Sequence, residues 1–389
     1  MLPRDPAIAI EFVRRAADVP EALWSTCFGP PVEGRFWYET LERCGLEDQF
    51  GFYYAIVRRS GEPVGLAPCF LHDVPITLVA PPVVAWVLQQ VGRVWPRVAV
   101  QRTFFVGSPC SDEGTVGLVP GLTLAEVAGP LWTAVRAQAR ALGARMIVGK
   151  DFSAADAAAL AAAGRAGEYV STVSYPGTVL PLPASDKAAY YRSLTHHHRY
   201  ILQKKLRRSQ AALPLTTHVI DRPSDEELHE IWGLFEQTYR RGKTKFERLG
   251  PAFFAQIRAQ RESWFILQRD AATGRLVAFM LLFRLGPRVI NKFIGLDYAR
   301  GPSAFLYYRL FDAALDFAYA AGAAELQSGQ TGYRAKLDLE HRLVPLHNVF
   351  HHEHPLVHAI FRAIGRRIDW RSLDPDLAVY VQARGGEGK

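Results

Sequence analysis

The chain has 389 residues, 49% of them hydrophobic and 12% aromatic, enough to bury a sizeable core and to exclude wholesale disorder. That length predicts two domains, and the formal net charge of +8 points to an anionic partner such as RNA, a nucleotide cofactor, an acidic carrier protein or a membrane surface. Cys27, Cys44, Cys69 and Cys110 stand far apart without a C-x-x-C pair, which argues against a disulfide framework or zinc site and suits a reducing cytosol.

The N-terminal stretch MLPRDPAIAIEFV lacks a basic region followed by an apolar one, so no signal peptide is expected and the chain reads as cytoplasmic. FGFYYAIVRRSGEPVGLAPCFL (50–71) reads as a β-hairpin. The apolar run 75–95 is broken by prolines, Gln89, Gln90 and Arg93, which argues against a membrane span. It reads as an insertion (75–100) in the first lobe. GSPCSDEG (107–114) is a loop whose Cys110 has no partnered His and Asp to make it a nucleophile. LWTAVRAQARALGARMIVGKDF (131–152) is a helix closed by Gly143 and followed by a strand.

A basic helix is predicted over 185–210. Arg199, Lys204, Lys205, Arg207 and Arg208 carry its charge, with no acid after Asp186. Beyond it the first-half elements recur. SWFILQRDAATGRLVAFMLLFRL (263–285) repeats the hairpin, and LFDAALDFAYAAGAAELQSGQ (310–330) repeats the helix, its closing glycine (Gly322) and the strand. Helices at 225–240 and 251–259, a third strand at 288–298, a helix at 303–321, a strand at 323–328, a short helix and a last strand, HRLVPLHNVFH, complete the second half. The expectation is an α/β (α+β) fold of two lobes, 1–184 and 211–389, joined by the basic linker helix 185–210.

This order, together with SLTHHHRYILQKKLRRS, RLVAFMLLFRL, FIGLDYARGPSAFLYYRLFDAALDFAYAAGA and GQTGYRAKLDLEHRLVPL, resembles the tandem GNAT acyltransferases related to the FemABX peptidyltransferases. That group includes bacterial proteins described as cellulose-biosynthesis or peptidoglycan-recognition acyltransferases. The chain departs from many relatives at Glu340-His341, where they carry a glycine. The resemblance implies two tandem GNAT lobes and transfer of an acyl or aminoacyl group to an amine, without metal or covalent intermediate. In such a fold two parallel strands splay, and backbone N–H groups in the gap bind the carbonyl as charge develops on it. The donor's phosphates lie at a helix N-terminus.

Acyl-CoA-using relatives carry a Gln/Arg-x-x-Gly-x-Gly/Ala loop there, whereas this chain has YARGPSA with Arg300 and Ser303. FemABX-type enzymes also lack that loop and take an aminoacyl group from tRNA, the donor favoured here. Acyl-CoA and an acyl carrier protein are the alternatives. Arg199, Lys204, Lys205 and Arg208 are candidates for contacting the donor's phosphates. Candidate catalytic residues are Lys336, to fix an acceptor carboxylate or steady the tetrahedral intermediate; Tyr298 or Tyr333, as general acid; and Asp297, as base or amine ligand. Asn291 and Lys292 interrupt an apolar strand and need a partner or a cleft to face. Gln330 and Thr331 either bind ligand or cap the helix after them. Each candidate also has a plain structural reading.

The histidines of HNVFHHEHPLVH read as packing and loop residues rather than metal ligands, because Pro355 intrudes between His354 and His358. The partners expected are tRNA or a carrier protein and a small-molecule or peptide amine, with the first lobe holding the acceptor. No DNA, no membrane contact and no tightly bound cofactor is expected. The rival from another class is a non-catalytic pseudo-acyltransferase that binds RNA, a carrier or a cell-wall precursor.

Overall fold

The computed structural model describes residues 8–75, 100–182, 186–242 and 246–383, with the side chain of Ser303 outside that set. Most of the apolar insertion expected at 75–100 therefore lies outside the described residues.

In chain order the elements begin with β1 (Ile8–Val13), α1 (Glu21–Cys27), α2 (Arg35–Arg43), β2 (Phe50–Arg59), β3 (Glu62–Pro75), β4 (Val100–Val106) and β5 (Gly117–Leu118). Then come α3 (Leu124–Ala141), β6 (Met146–Phe152), α4 (Ala154–Ala162), β7 (Val170–Val173), β8 (Gly177–Pro181), α5 (Lys187–Ser193) and α6 (His196–Ala212). The second half runs β9 (Leu215–Ile220), α7 (Asp225–Arg241), α8 (Pro251–Ile257), β10 (Ser263–Asp270), β11 (Leu276–Leu285), β12 (Arg288–Leu296), α9 (Leu306–Ala320) and β13 (Glu325–Ser328). It closes with α10 (Tyr333–Asp338), β14 (Arg342–Val344), β15 (His347–His352), α11 (Pro355–Gly365), α12 (Trp370–Leu373) and α13 (Pro375–Ala383).

The chain folds into two compact units, residues 1–29, 47–175 and 345–389 in the first, and 30–46 and 176–344 in the second. The sheet of the first unit has the order β1-β2-β3-β4-β6-β15-β7, with β5 on β3; that of the second is β14-β8-β13-β12-β11-β10-β9. In each, four antiparallel strands are followed by one parallel neighbour, β4 with β6 and β12 with β13. The repeat read from the sequence is thus a repeat of architecture. Gly143 and Gly322, each just past a helix, take φ of 73° and 67°, the left-handed turn that favours glycine at a helix end.

The units follow the sheets, not the contiguous halves 1–184 and 211–389. β8 follows β7 in sequence but pairs with β13 and β14, while β15 follows β14 but pairs with β6 and β7. HRLVPLHNVFH, expected to be one last strand, is therefore two strands in two sheets. Pro345 stands between them as Pro176 does between β7 and β8, and a residue without N–H cannot continue a ladder. The expected linker helix is also two helices, because Thr195 caps a fresh start by accepting from His198 N at 3.2 Å.

The second unit's sheet is covered on both faces, which is why β11 is buried at nine of its ten positions. Ala278, Met280 and Leu282 pack with Leu310, Phe311, Ala314 and Leu315 of α9 and with Tyr190 and Leu202. Opposite lies an aromatic layer. Phe253 meets Phe293 at 5.5 Å, Phe254 meets Phe279 at 5.9 Å, and Trp37 of α2 meets Phe283 at 5.4 Å.

Candidate functional site

β12 and β13 pair in parallel only from Arg288 with Glu325 to Asn291 with Ser328. Beyond Asn291, β12 runs on to Leu296 along β11, while β13 ends at Ser328. The strands part there, as a GNAT-like lobe requires. Leu296 N–H turns away from β11 to Thr238 Oγ1 of α7, at 3.2 Å, and Asp297 N–H bonds Val277 O on β11 at 2.8 Å. With the two-residue period of a strand, Ile294 N–H points to the same edge as that of Leu296, into the gap. A backbone donor so placed can stabilise an acyl oxygen as it becomes anionic.

The mouth of the gap carries a β-bulge. Leu281 pairs with Phe293 and Leu282 with Asn291, so Lys292 is the extra residue. The consequence is a change of face: Lys292 and its neighbour Phe293 both enter the aromatic layer. Lys292 Nζ is 4.7 Å from the centre of the Trp37 ring and bonds Glu33 Oε1 at 2.7 Å, with the lysine side chain 2% exposed. Asn291 is buried in the register position before it.

Across the gap, the end of β13 is tied down. Lys336 Nζ donates to Ser328 O and, at 2.9 Å, to Gly329 O; Thr178 Oγ1 of β8 meets the same two carbonyls. Tyr333 is fully buried, and its hydroxyl donates to Pro176 O at 2.9 Å. Gly332, with φ of 68°, is the N-cap of α10. Gln330 is half-buried and Thr331 exposed beside that turn. His341 lies behind, 4% exposed, with Nδ1 3.1 Å from Lys336 O. Burial first, and then the Lys336 ammonium, pushes its pKa down to about 3, so it is neutral at ordinary pH.

Asp297, Tyr298 and Arg300 form the far end of β12. Asp297 is 3% exposed, accepts from Ala299 N at 3.1 Å and lies 3.5 Å from Arg300 Nε and 3.7 Å from Arg275 Nη2. Arg300 also pairs with Asp270 at 3.0 Å. Tyr298 is exposed beneath the Arg241 guanidinium, which is 4.5 Å from its ring centre. The helix expected from Ser303 begins at Leu306, after two 3-10 turns, Tyr298–Arg300 and Pro302–Ala304, because Gly301 and Phe305 take positive φ. Ser303 falls in the second turn.

The basic helix lies against this start of α9. Ser209 Oγ donates to Ala304 O at 2.5 Å, and the Arg208 guanidinium is 6.0 Å from the Phe305 ring centre. Lys205 Nζ bonds Tyr308 Oη at 2.5 Å and Asp338 Oδ2 at 3.2 Å. Burial pushes the Tyr308 hydroxyl's pKa up, with Lys205 opposing. Arg199 bonds Arg192 O at 3.3 Å, whereas Lys204, Arg207 and Arg208 are exposed, with Lys204 Nζ 5.6 Å from the ring centre of exposed Tyr200. Two groups thus emerge: Asn291, Lys292, Gln330, Tyr333 and Lys336 around the parting strands, and the basic helix beside α9. Glu33, Trp37, Thr178 and Thr238 were not foreseen. Lys292 in an apolar strand was the one sign that a partner was needed, and nothing marked Glu33 as that partner.

In the first unit the corresponding edge is occupied. β4 ends at Val106, paired with Gly149 of β6, and the following loop folds back along β6. Gly114 N–H donates to Asp151 O at 2.8 Å, and Lys150 Nζ donates to Ser111 O at 3.2 Å and to the Asp151 carboxylate.

No family model and no curated protein matches the chain. Among solved structures, FemX superposes with a TM-score of 0.57 at 12% identity, over 90% of this chain and 100% of its own. A tandem GNAT protein from the clavulanic acid biosynthesis pathway gives 0.51 at 15%, over 89% and 99%. A conserved protein of unknown function from Bacteroides thetaiotaomicron gives 0.51 at 12%, over 88% and 98%. These likenesses show the fold, two tandem GNAT lobes.

Proposed function

We propose that this tandem GNAT protein is an acyltransferase whose second unit passes an acyl or aminoacyl group from a phosphate-bearing donor to an amine by direct attack. The observation that carries the reading is the parting of β12 and β13 after Asn291 and Ser328, with Ile294 N–H on the freed edge. The donor carbonyl accepts from that N–H, the neutral amine attacks, and as the C–O or C–S bond breaks the proton lost from nitrogen passes through water to the leaving oxygen or sulfur. Lys336, Thr178 and Tyr333 hold the β13 side of the gap, and Lys292 with Glu33 holds the β12 side. The second unit is favoured over the first because Ser111 and Gly114 of the loop after β4 already occupy the edge beside β6.

For the donor, aminoacyl-tRNA is favoured by the basic helix α6, whose exposed Lys204, Arg207 and Arg208 lie beside the start of α9. Arg300 is committed to two carboxylates and Phe305 stands where a glycine loop would let a pyrophosphate approach the backbone. Acyl-CoA is the second reading, supported by the likeness to the clavulanic acid pathway protein. The expected acceptor is a small-molecule or peptide amine. The test offers alanyl-tRNA, acetyl-CoA and an acyl carrier protein in parallel, with glycinamide as amine. Transfer from alanyl-tRNA that is lost when Lys204, Arg207 and Arg208 become glutamine supports the favoured donor. Transfer from acetyl-CoA alone selects the second reading. No transfer from any donor, with tRNA bound tightly, makes the protein a binding module.

A further inference from the structure

α11 is an apolar helix in the wrong place for one. Of the eleven residues in PLVHAIFRAIG only Gly365 is buried. One side of the helix rests on the first unit's sheet, with Phe361 6.4 Å from Phe350 and the Gly365 carbonyl accepting from Thr172 Oγ1 at 3.0 Å. The opposite side faces out, where polar residues belong, yet it carries Leu356 at 65% exposure, Ile360 at 51%, and the exposed Ala359 and Ala363. Leu356, Ile360, Ala363 and Arg367 follow one another at spacings of four, three and four, a single stripe along the helix. Contiguous apolar surface of this kind marks a place where something docks.

The charges beside the stripe select the partner. From residue 353 to 376 every exposed charged side chain is an arginine: Arg366, Arg367 and Arg371. None of the acids of that stretch is exposed. Glu353 is bound by Arg136 and Arg140, Asp369 caps α12 by accepting from Ser372 N at 3.0 Å, and Asp374 accepts from Asp376 N at 2.8 Å. An outward apolar face ending in exposed arginines is complementary to a surface that is oily within and anionic at its rim. Among the described residues no helix is long and apolar enough to cross a membrane, so contact would be by lying on the surface.

We propose that the outward face of α11 docks the protein on an anionic lipid bilayer. Leu356 and Ile360 enter the acyl boundary while Arg366, Arg367 and Arg371 meet headgroup phosphates. The test is co-sedimentation of the full chain with vesicles of phosphatidylglycerol in phosphatidylcholine, against phosphatidylcholine alone. The expected result is binding about tenfold or more stronger to the anionic vesicles and weakened by salt. The pair Leu356→Glu and Ile360→Glu should lose it by about tenfold with an unchanged melting temperature. The milder pair Leu356→Ala and Ile360→Ala should weaken it in the same direction, and serves if the glutamates disturb folding. Arg366→Gln with Arg367→Gln should remove most of the salt dependence. Equal binding by wild type and both apolar-face variants overturns the proposal, as does the absence of binding to anionic vesicles. A wild-type dimer that Leu356→Glu splits would show that a second copy covers the face instead. Binding abolished only by deleting residues 76–99 would move the contact elsewhere and overturn it too.

Discussion

Replacing Gly295 with alanine tests how closely α7 and β12 abut beside the proposed gap. A Cβ at this position would lie 2.3 Å from Phe279 Cε1, 2.7 Å from Leu234 C and 2.8 Å from Leu234 Cβ. Two of those atoms belong to the α7 main chain or its Cβ, which cannot rotate away, and Phe279 is fully buried against Phe254. α7 must therefore retreat from the sheet. Overpacking a filled core costs about 1–3 kcal/mol, and rigid neighbours put this case at about 3. For a unit of this size each kcal/mol lowers Tm by about 2–4 °C, so a fall of about 6–12 °C is expected. Differential scanning calorimetry measures it, with Gly274→Ala as the control. Gly274 has φ of 71° but open space around its Cβ, so only the conformational cost of about 1 kcal/mol applies. Because Ile294 precedes Gly295, the same substitution should depress transfer beyond its effect on stability. A Gly295→Ala protein that melts with wild type and transfers normally would refute the packing that shapes the gap.

Glu33→Gln leaves the Lys292 ammonium buried without its carboxylate. Loss of about 3 kcal/mol is expected by urea denaturation, with Glu33→Gln combined with Lys292→Met recovering much of it; simple additivity of the two would count against the pair. His341 stays neutral when folded down to about pH 3, whereas the unfolded chain protonates it below about pH 6.5. Its contribution is therefore complete above pH 6.5 and lost as pH falls towards 3, at up to about 1.4 kcal/mol per pH unit. His341→Gln should flatten that slope in denaturant titrations at several pH values, and an unchanged slope would remove His341 from the account. Tyr333→Phe strips the Pro176 carbonyl of its donor and should cost about 1–2 kcal/mol. If it lowers transfer without altering the melting curve, Tyr333 acts in the chemistry and not in holding β8 to α10.

Much of the architecture was legible because it is local. The two hairpins, the helices ended by Gly143 and Gly322, and the strand running into QSGQTG follow from alternation, helical period and turn residues. The exchange of β8 and β15 was not, since strands of five and six residues carry no mark of which sheet they will join. At the site the sequence pointed to positions but not to partners. Lys336 stood out, yet its ammonium ties backbone carbonyls at the end of β13. Lys292 looked out of place in β12, and its carboxylate lies 259 residues away in a segment that packs with the second unit. α9 starts three residues later than its sequence suggests, since proline, serine and alanine suit a first helical turn. The positive φ values of Gly301 and Phe305 deny it that turn.

The central claim is that the gap in the second unit holds the donor carbonyl. A crystal structure with a non-transferable donor, an amide-linked alanyl-RNA acceptor stem or a ketone analogue of acetyl-CoA, tests it most directly. The account predicts the carbonyl oxygen at about 3 Å from Ile294 N, between β12 and β13. A carbonyl bound beside β6 of the first unit, or anywhere else away from β12 and β13, would contradict it.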